Sequence, residues 1–208
     1  MAINQELYQA VIDGDREAVK KTIQQSLDQN VEIEGLLYDS MIPAMREMGD
    51  RFSRSEIFVP QMLISARAMQ AGLTILEPLL AETDREAPAK VGIGTVKNDL
   101  HDIGKNLVTI MLKGAGYDVI DLGTNCSVEK YQEAVDQGAK IIMCSALLTT
   151  TRDYIQKVIE HFNDNDEVKI IVGGAPVDQN FADSVGADGY GEDANSAVKI
   201  VEDIVRSK

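Results

Sequence analysis

Cysteine, histidine and basic charge are all scarce in this 208-residue chain. Its only cysteines are Cys126 and Cys144, with no CxxC spacing, and its only histidines are His101 and His161. Four such ligands without metal-site spacing do not make a structural zinc site. Cys144, inside the apolar run "IIMCSA", reads as a buried thiol, and Cys126 as a loop thiol. Lys and Arg number 20 against 34 Asp and Glu, leaving a formal net charge of −14. That deficit of positive charge repels phosphate backbones and anionic lipid surfaces, so nucleic acid and membrane are not expected as direct partners. No segment approaches the about 20 consecutive apolar residues of a membrane helix. Met1 to Leu27 also lacks the basic-then-apolar layout of a signal peptide, and a cytoplasmic protein is expected. No internal repeat is present, and the only low-complexity tract is Thr149-Thr150-Thr151.

Nucleotide and hydrolase signatures are missing as well. Gly92 and Gly94 begin a GxGxxG pattern, but Lys97 stands at its third glycine, and no GxxxxGK[ST] phosphate loop occurs. Ser145 lies outside any GxSxG elbow, which argues against a Ser145-His101-Asp99 triad.

What is present divides in two. In "DREAVKKTIQQSLDQN", Val19, Ile23 and Leu27 recur every four residues after an Asp13-Gly14-Asp15 turn whose aspartates can cap a helix. A second run places Ile33, Leu37, Met41, Met45 and Met48 on one face, with Pro43 expected to kink it. A third follows 4-3-4-3-4 spacing through Met62, Ala66, Met69, Leu73, Leu76 and Leu80, and Pro60 sits where a first-turn proline costs no hydrogen bond. Short turns between such helices predict an antiparallel bundle with the methionines in its core. The charged, aperiodic "AETDREAPAK" then reads as a linker and candidate hinge, giving a helical domain over 1–88 and a second domain over 89–208.

The second domain alternates β-branched runs with helical ones. "VGIGTV", "YDVIDLG", "KIIMCSA", "VKIIVGG" and a short "ADGYG" are separated by helices over about 103–114, 128–136, 151–162, 180–185 and 194–205. This alternation predicts an α/β fold with a five-stranded parallel sheet, Rossmann-like or flavodoxin-like, with helices on both faces. Ligands of such sheets bind at the carboxyl ends of the strands. There the chain supplies Asp99, His101, Asp102, Ile103 and Gly104 after the first strand and Ser145, Leu147 and Thr149 after the third. Gly173 and Gly174 follow the fourth strand and Gly191 the fifth. One histidine suffices if it is the axial ligand of a metal already held in a macrocycle. Its second ring nitrogen then needs an acceptor, and Asp99 is placed to be one. Gly104 leaves room for a flat ring, and Gly173 and Gly174 for a tail running down between strands.

These residues carry a family resemblance. "DLHDIG" fits the DxHxxG signature of cobalamin-binding domains, and "SALLTTT" and "VGG" resemble the second and third parts of that pattern. "REMGDRFSRSEIFVPQMLISARAM", Arg46 to Met69, is similar to the helical cap of cobalamin-dependent methyltransferases. The likeness covers essentially the whole chain and is greatest to the stand-alone corrinoid proteins of anaerobic methyltransferase systems. It implies a cobalamin or other corrinoid whose lower base is displaced by His101 as cobalt ligand. It also implies Asp99 on the far nitrogen of that ring, Ser145 extending the relay, and a tail slot lined by Ser145, Leu147, Thr149, Gly173 and Gly174. Phe58, Val59 and Met62 of the cap would cover the upper face and shield a methyl group. The resemblance further implies a carrier rather than an enzyme. A substrate-specific methyltransferase would load it, a second one would unload it to tetrahydrofolate or a thiol coenzyme, and a reductive activating protein would maintain it. Methanol, a methylamine, a betaine or an aryl methyl ether all suit the donor role. A cobalamin-dependent sensor is the alternative from another class.

Overall fold

Residues 3–80 and 87–207 are described in a computed structural model. They fall into two units, Met1–Ala87 with Lys113–Gly116, and Pro88–Leu112 with Tyr117–Lys208. Most of the expected linker, 81–86, lies outside the described residues.

The helical unit starts with α1 (Gln5–Asp13) and α2 (Arg16–Asp28). Asn4 caps α1 by accepting the Leu7 N–H at 3.0 Å. Gly14, at φ 71°, ends it in the left-handed conformation that glycine adopts without strain. Of the two aspartates in the turn, Asp15 caps α2, accepting from Glu17 and Ala18 at 3.1 and 2.9 Å. A single turn, α3 (Ile33–Gly35), leads into a π-helical segment (Leu36–Met41) and then α4 (Ile42–Ser53). Pro43 sits in the first turn of α4. A proline ring collides with the carbonyl four residues earlier and donates no hydrogen bond, and the widened π turn ahead of it relieves both problems. The expected kink is therefore expressed as a change of helical pitch. Along α5 (Val59–Leu80), Met62, Ala66, Met69, Leu73 and Leu76 are buried, and they share the core with Leu7, Val11, Val19, Ile23, Met41, Met45 and Met48. Helices α1, α2, α4 and α5 pack on one another as a bundle.

The second unit runs β1 (Lys90–Thr95), α6 (Ile103–Gly114, whose last two residues group with the first unit), β2 (Asp118–Asp121), α7 (Val128–Asp136), β3 (Ile141–Ser145), α8 (Thr149–Arg152) and α9 (Tyr154–Phe162). It ends with β4 (Lys169–Gly173), α10 (Gln179–Val185), β5 (Gly189–Gly191) and α11 (Ala194–Arg206). All five strands are parallel, in the order β2-β1-β3-β4-β5. The helix expected over 151–162 begins two residues earlier and is interrupted at Asp153.

Strand periodicity assigns the faces. A Cβ at Gly92 would come within 2.7 Å of Ala134 on α7, and one at Gly94 within 2.8 Å of the Cys126 sulfur. Val91, Ile93 and Thr95 therefore point the other way. The α7 side is packed by Ile142, Cys144, Ile170 and Val172 against Tyr131, Ile155, Val158 and Phe162. Both cysteines are buried in it; Cys126 is a loop thiol, as expected, in a connection that folds into the core. Burial pushes the Cys144 thiol up to about 12. The Tyr131 hydroxyl donates to the Gly94 carbonyl at 3.0 Å.

On the opposite face, register places Thr95, Ser145, Gly173 and Gly191 side by side at the carboxyl ends of four strands. Gly191 lies beneath α11, where an added Cβ would sit 2.8 Å from Ala197. The amino ends of the strands are closed by the pairs Lys90–Asp118, Lys140–Glu167 and Lys169–Asp188.

Gly174 stands at φ 120°, and a Cβ there would lie 1.9 Å from the Ala146 carbonyl oxygen. Gly174→Ala is expected to destabilise the protein by about 3 kcal/mol, from backbone strain plus overpacking. Gly138→Ala, at φ 94° with nothing within 4 Å, should cost about 1 kcal/mol. Urea unfolding of the two variants checks the contrast, and equal losses would disprove the steric argument.

Candidate functional site

In the order β2-β1-β3-β4-β5, successive connections leave in opposite directions from β1 and β3, and a crevice opens between the carboxyl ends of those two strands. The β1–α6 loop, 96–102, and the β3–α8 loop, 146–148, flank it. Asp99 joins them. Its carboxylate is fully buried. Oδ1 accepts the His101 backbone N–H at 3.1 Å and lies 2.7 Å from His101 Nδ1. Oδ2 accepts the Leu147 N–H at 2.8 Å, the Leu148 N–H at 3.4 Å and the Thr151 hydroxyl at 2.7 Å. Burial alone would raise the Asp99 carboxyl, but the hydrogen bonds from Leu147, Thr151 and His101 outweigh it and hold the group well below the usual carboxylate range. Asp99 is thus an anion at neutral pH, and the network assigns the shared proton to His101 Nδ1.

That assignment leaves His101 Nε2 with its lone pair. The ring is half exposed, and Nε2 has no hydrogen bond to any described residue. The backbone beneath is fixed, because the buried Thr95 hydroxyl donates to the His101 carbonyl at 2.8 Å. The β1–α6 and β3–α8 connections and the start of α6 carry four exposed aliphatic side chains, Leu100, Ile103, Leu147 and Leu148. A Cβ on Gly104 would meet nothing within 4 Å. Among the described residues no group of three or more His, Cys, Asp or Glu could hold a bare metal ion. One oriented imidazole in an apolar, open setting instead fits a metal whose equatorial positions are already filled by a flat macrocycle. The small row Thr95-Ser145-Gly173-Gly191 leads away from it with little side-chain bulk, as an extended tail requires.

The other expected site residues are placed as follows. Asp102 is exposed and accepts from the Asn106 side chain at 3.1 Å. Thr149 is exposed at the start of α8. Ser145 borders the crevice on β3, but its hydroxyl makes no hydrogen bond to Asp99; the relay expected through Ser145 runs to Thr151 instead. The reason is sheet geometry: Ser145 points to the α11 face, while Thr151 returns on the first turn of α8 to the oxygen Asp99 turns toward it. Gly173 and Gly174 are required by the protein's own backbone, since Cβ atoms there would meet the carbonyls of Gly191 at 2.8 Å and Ala146 at 1.9 Å. In the helical unit, Phe58 is 66% exposed and Val59 is also exposed. Met62 is 0% exposed. It belongs to the buried stripe of α5 and cannot present a covering surface. Thr151, Leu100 and Leu148 were not singled out by the sequence. No period exists in a four-residue helix to mark the buried member of three threonines.

Two family models match the chain. The family described as B12 binding domain matches residues 89–199, and a second family of the same description matches residues 3–77. The chain is 39% identical over 212 residues to a corrinoid protein of Desulfitobacterium hafniense (strain Y51), covering 99% of this chain and 98% of that one. It is 34% identical over 200 residues to the trimethylamine corrinoid protein of Methanosarcina barkeri, covering 93% and 92%. Among solved structures it is similar to a chain of the methanol:cobalamin methyltransferase complex of Methanosarcina barkeri. The TM-score is 0.85 at 28% identity, covering 98% of this chain and 79% of that one.

Removing the Thr151 hydroxyl should cost about 2 kcal/mol, because a donor to a buried charge is lost. Ser145→Ala should cost little. The Asp99 carboxyl is depressed in the folded state, so its contribution is complete above the unfolded value of about 3.9 and fades as pH falls below it. Urea titrations of Thr151→Val and wild type should therefore differ most at neutral pH and converge in acid. A pH-independent gap would show that the hydroxyl acts by packing alone.

Proposed function

Because the chain belongs to the family of corrinoid proteins, with B12 binding domains matched in both parts, we propose that it carries a methyl group between separate methyltransferases on a corrinoid held by His101. The cofactor is cobalamin or a related corrinoid. Bound, it supplies the cobalt on which a methyl group is carried. The remaining work falls to the chain's own side chains.

The observation that carries this reading is the Asp99–His101 pair at 2.7 Å with Nε2 left free. Asp99 keeps the proton on Nδ1 and fixes the ring plane, so Nε2 presents its lone pair without a tautomer change. His101 would thus be the residue that holds the cofactor's cobalt. The displaced tail would follow the row through Ser145, Gly173 and Gly191, with Leu147 and Thr149 at its upper end. Leu100, Ile103, Leu147 and Leu148 would meet the macrocycle's underside, and Phe58 and Val59 offer exposed apolar surface suited to keeping water from a methyl group. Among the described residues no base bonds the Ser145 hydroxyl, which supports carriage over hydrolysis.

Partners follow from the chemistry. A methylated one-carbon donor must be activated by a dedicated methyltransferase, and the relatives named for trimethylamine and for methanol support that class of donor. A second methyltransferase would pass the group to tetrahydrofolate or a thiol coenzyme, and a reductive activating protein would restore the carrier after oxidation. Among the described residues no helix is long and apolar enough to cross a membrane.

Reconstitution with hydroxocobalamin tests the reading. Wild type should retain a corrin spectrum with imidazole coordination through gel filtration. His101→Ala should lose that coordination, and Asp99→Asn should bind about 10- to 100-fold more weakly. If wild type retains no corrinoid, or His101→Ala gives an unchanged spectrum, the reading is wrong.

A further inference from the structure

The backbone that carries Asp99 and His101 is gripped from outside its own loop. Asn98 and Asn125 both adopt left-handed conformations, at φ 65° and 53°, which few residues other than glycine tolerate and asparagine tolerates best. They lie against each other. The Asn98 N–H donates to Asn125 Oδ1 at 2.8 Å, and the Asn125 N–H donates to the Asp99 carbonyl at 2.9 Å. Asn125 therefore spans both ends of the dipeptide whose torsions aim the Asp99 carboxylate.

Asn125 is itself held on a rigid support. It lies in the β2–α7 connection, which is stitched to β1 on both sides of it. The Leu122 N–H donates to Ile93 at 2.8 Å, the Thr95 N–H to Gly123 at 3.0 Å and the Cys126 N–H to Thr95 at 2.9 Å. Val96 and Cys126 add a parallel bridge. Of the contacts this connection makes to residues 98 and 99, the Asn125 amide oxygen supplies the one side-chain bond. Nothing in the proposed carrier role assigns Asn125 a task.

We propose that Asn125 is a positioning residue for the metal ligand: through Asn98 and Asp99 it sets the direction in which His101 Nε2 is presented. This rests on the reading of His101 as the axial ligand. Asn125 is exposed, so its amide bond adds little to global stability, and its loss is felt as freedom of the loop. Glycine at this position keeps the left-handed turn and the N–H donor while removing only the acceptor. Aspartate keeps all three.

That contrast is the experiment. Asn125→Gly, Asn125→Asp, His101→Ala and wild type are reconstituted with hydroxocobalamin and followed by visible spectrum and by cofactor release into excess scavenger. Melting of the four apoproteins is measured alongside. Asn125→Gly should melt within about 2 °C of wild type, release the cofactor about threefold faster and show a larger share of bound corrinoid without imidazole coordination. Asn125→Asp should restore both values. The inference is overturned if Asn125→Gly matches wild type in spectrum and release, or if Asn125→Asp is as impaired as Asn125→Gly. A fall in melting temperature with unchanged coordination would overturn it too, by showing a merely structural role. If wild type itself retains no corrinoid, the proposed function falls first and takes this inference with it. If wild type and His101→Ala behave as that function requires while Asn125→Gly is silent, the inference alone is lost.

Discussion

A carboxylate with no access to water must be compensated, and the second unit is arranged around one. Burying the Asp99 charge unpaired would cost several kcal/mol. Five hydrogen bonds from His101, Leu147, Leu148 and Thr151 compensate it. Their donors come from the β1–α6 loop and, about 50 residues on, from the β3–α8 loop and the first turn of α8, so the same bonds that keep the charge inside also tie these segments together. The imidazole orientation follows from this constraint. An oxygen already committed to His101 holds the ring at one angle and the proton on one nitrogen, and Nε2 has no hydrogen bond to any described residue.

Around that anchor the chemistry is kept simple. The crevice at the β1/β3 switch point has an apolar rim, one free imidazole nitrogen and a row of small residues descending on one face of the sheet. In the proposed role such a surface would take a large planar group. Much of the glycine content of the strand ends serves the protein first. Gly174 lets β4 turn against Ala146, and Gly173 lets it approach Gly191. The thinness a tail needs is a by-product of backbones packed this closely. Gly104 is different, since no protein atom crowds it.

The helical unit follows the same economy of means with other materials. Methionines at Met41, Met45, Met48, Met62 and Met69 fill its core, where an unbranched, adaptable side chain suits a bundle that contains a π turn. Phe58 and Val59 remain as exposed apolar groups at the start of α5.

By itself the sequence determined the elements and the pairing of an acid with a histidine. Helical apolar spacing and short β-branched runs are local properties, and they located the five strands and most of the helices, though not α1. "DLHDIG" likewise brings an acid within two residues of the histidine it orients. Long-range partners were decided only by tertiary structure. Which hydroxyl reaches Asp99 depends on how α8 leaves the sheet, and that selected Thr151 over Ser145. Whether Met62 faces solvent or core depends on which helices pack over it, and Cys126 is buried because its loop folds back on β1. Asn125 is 24 residues from His101 in sequence, and no spacing rule connects them. Only the pairing of β1 with β2 does, because contacts across a parallel sheet are set by strand order, which a one-dimensional pattern does not encode.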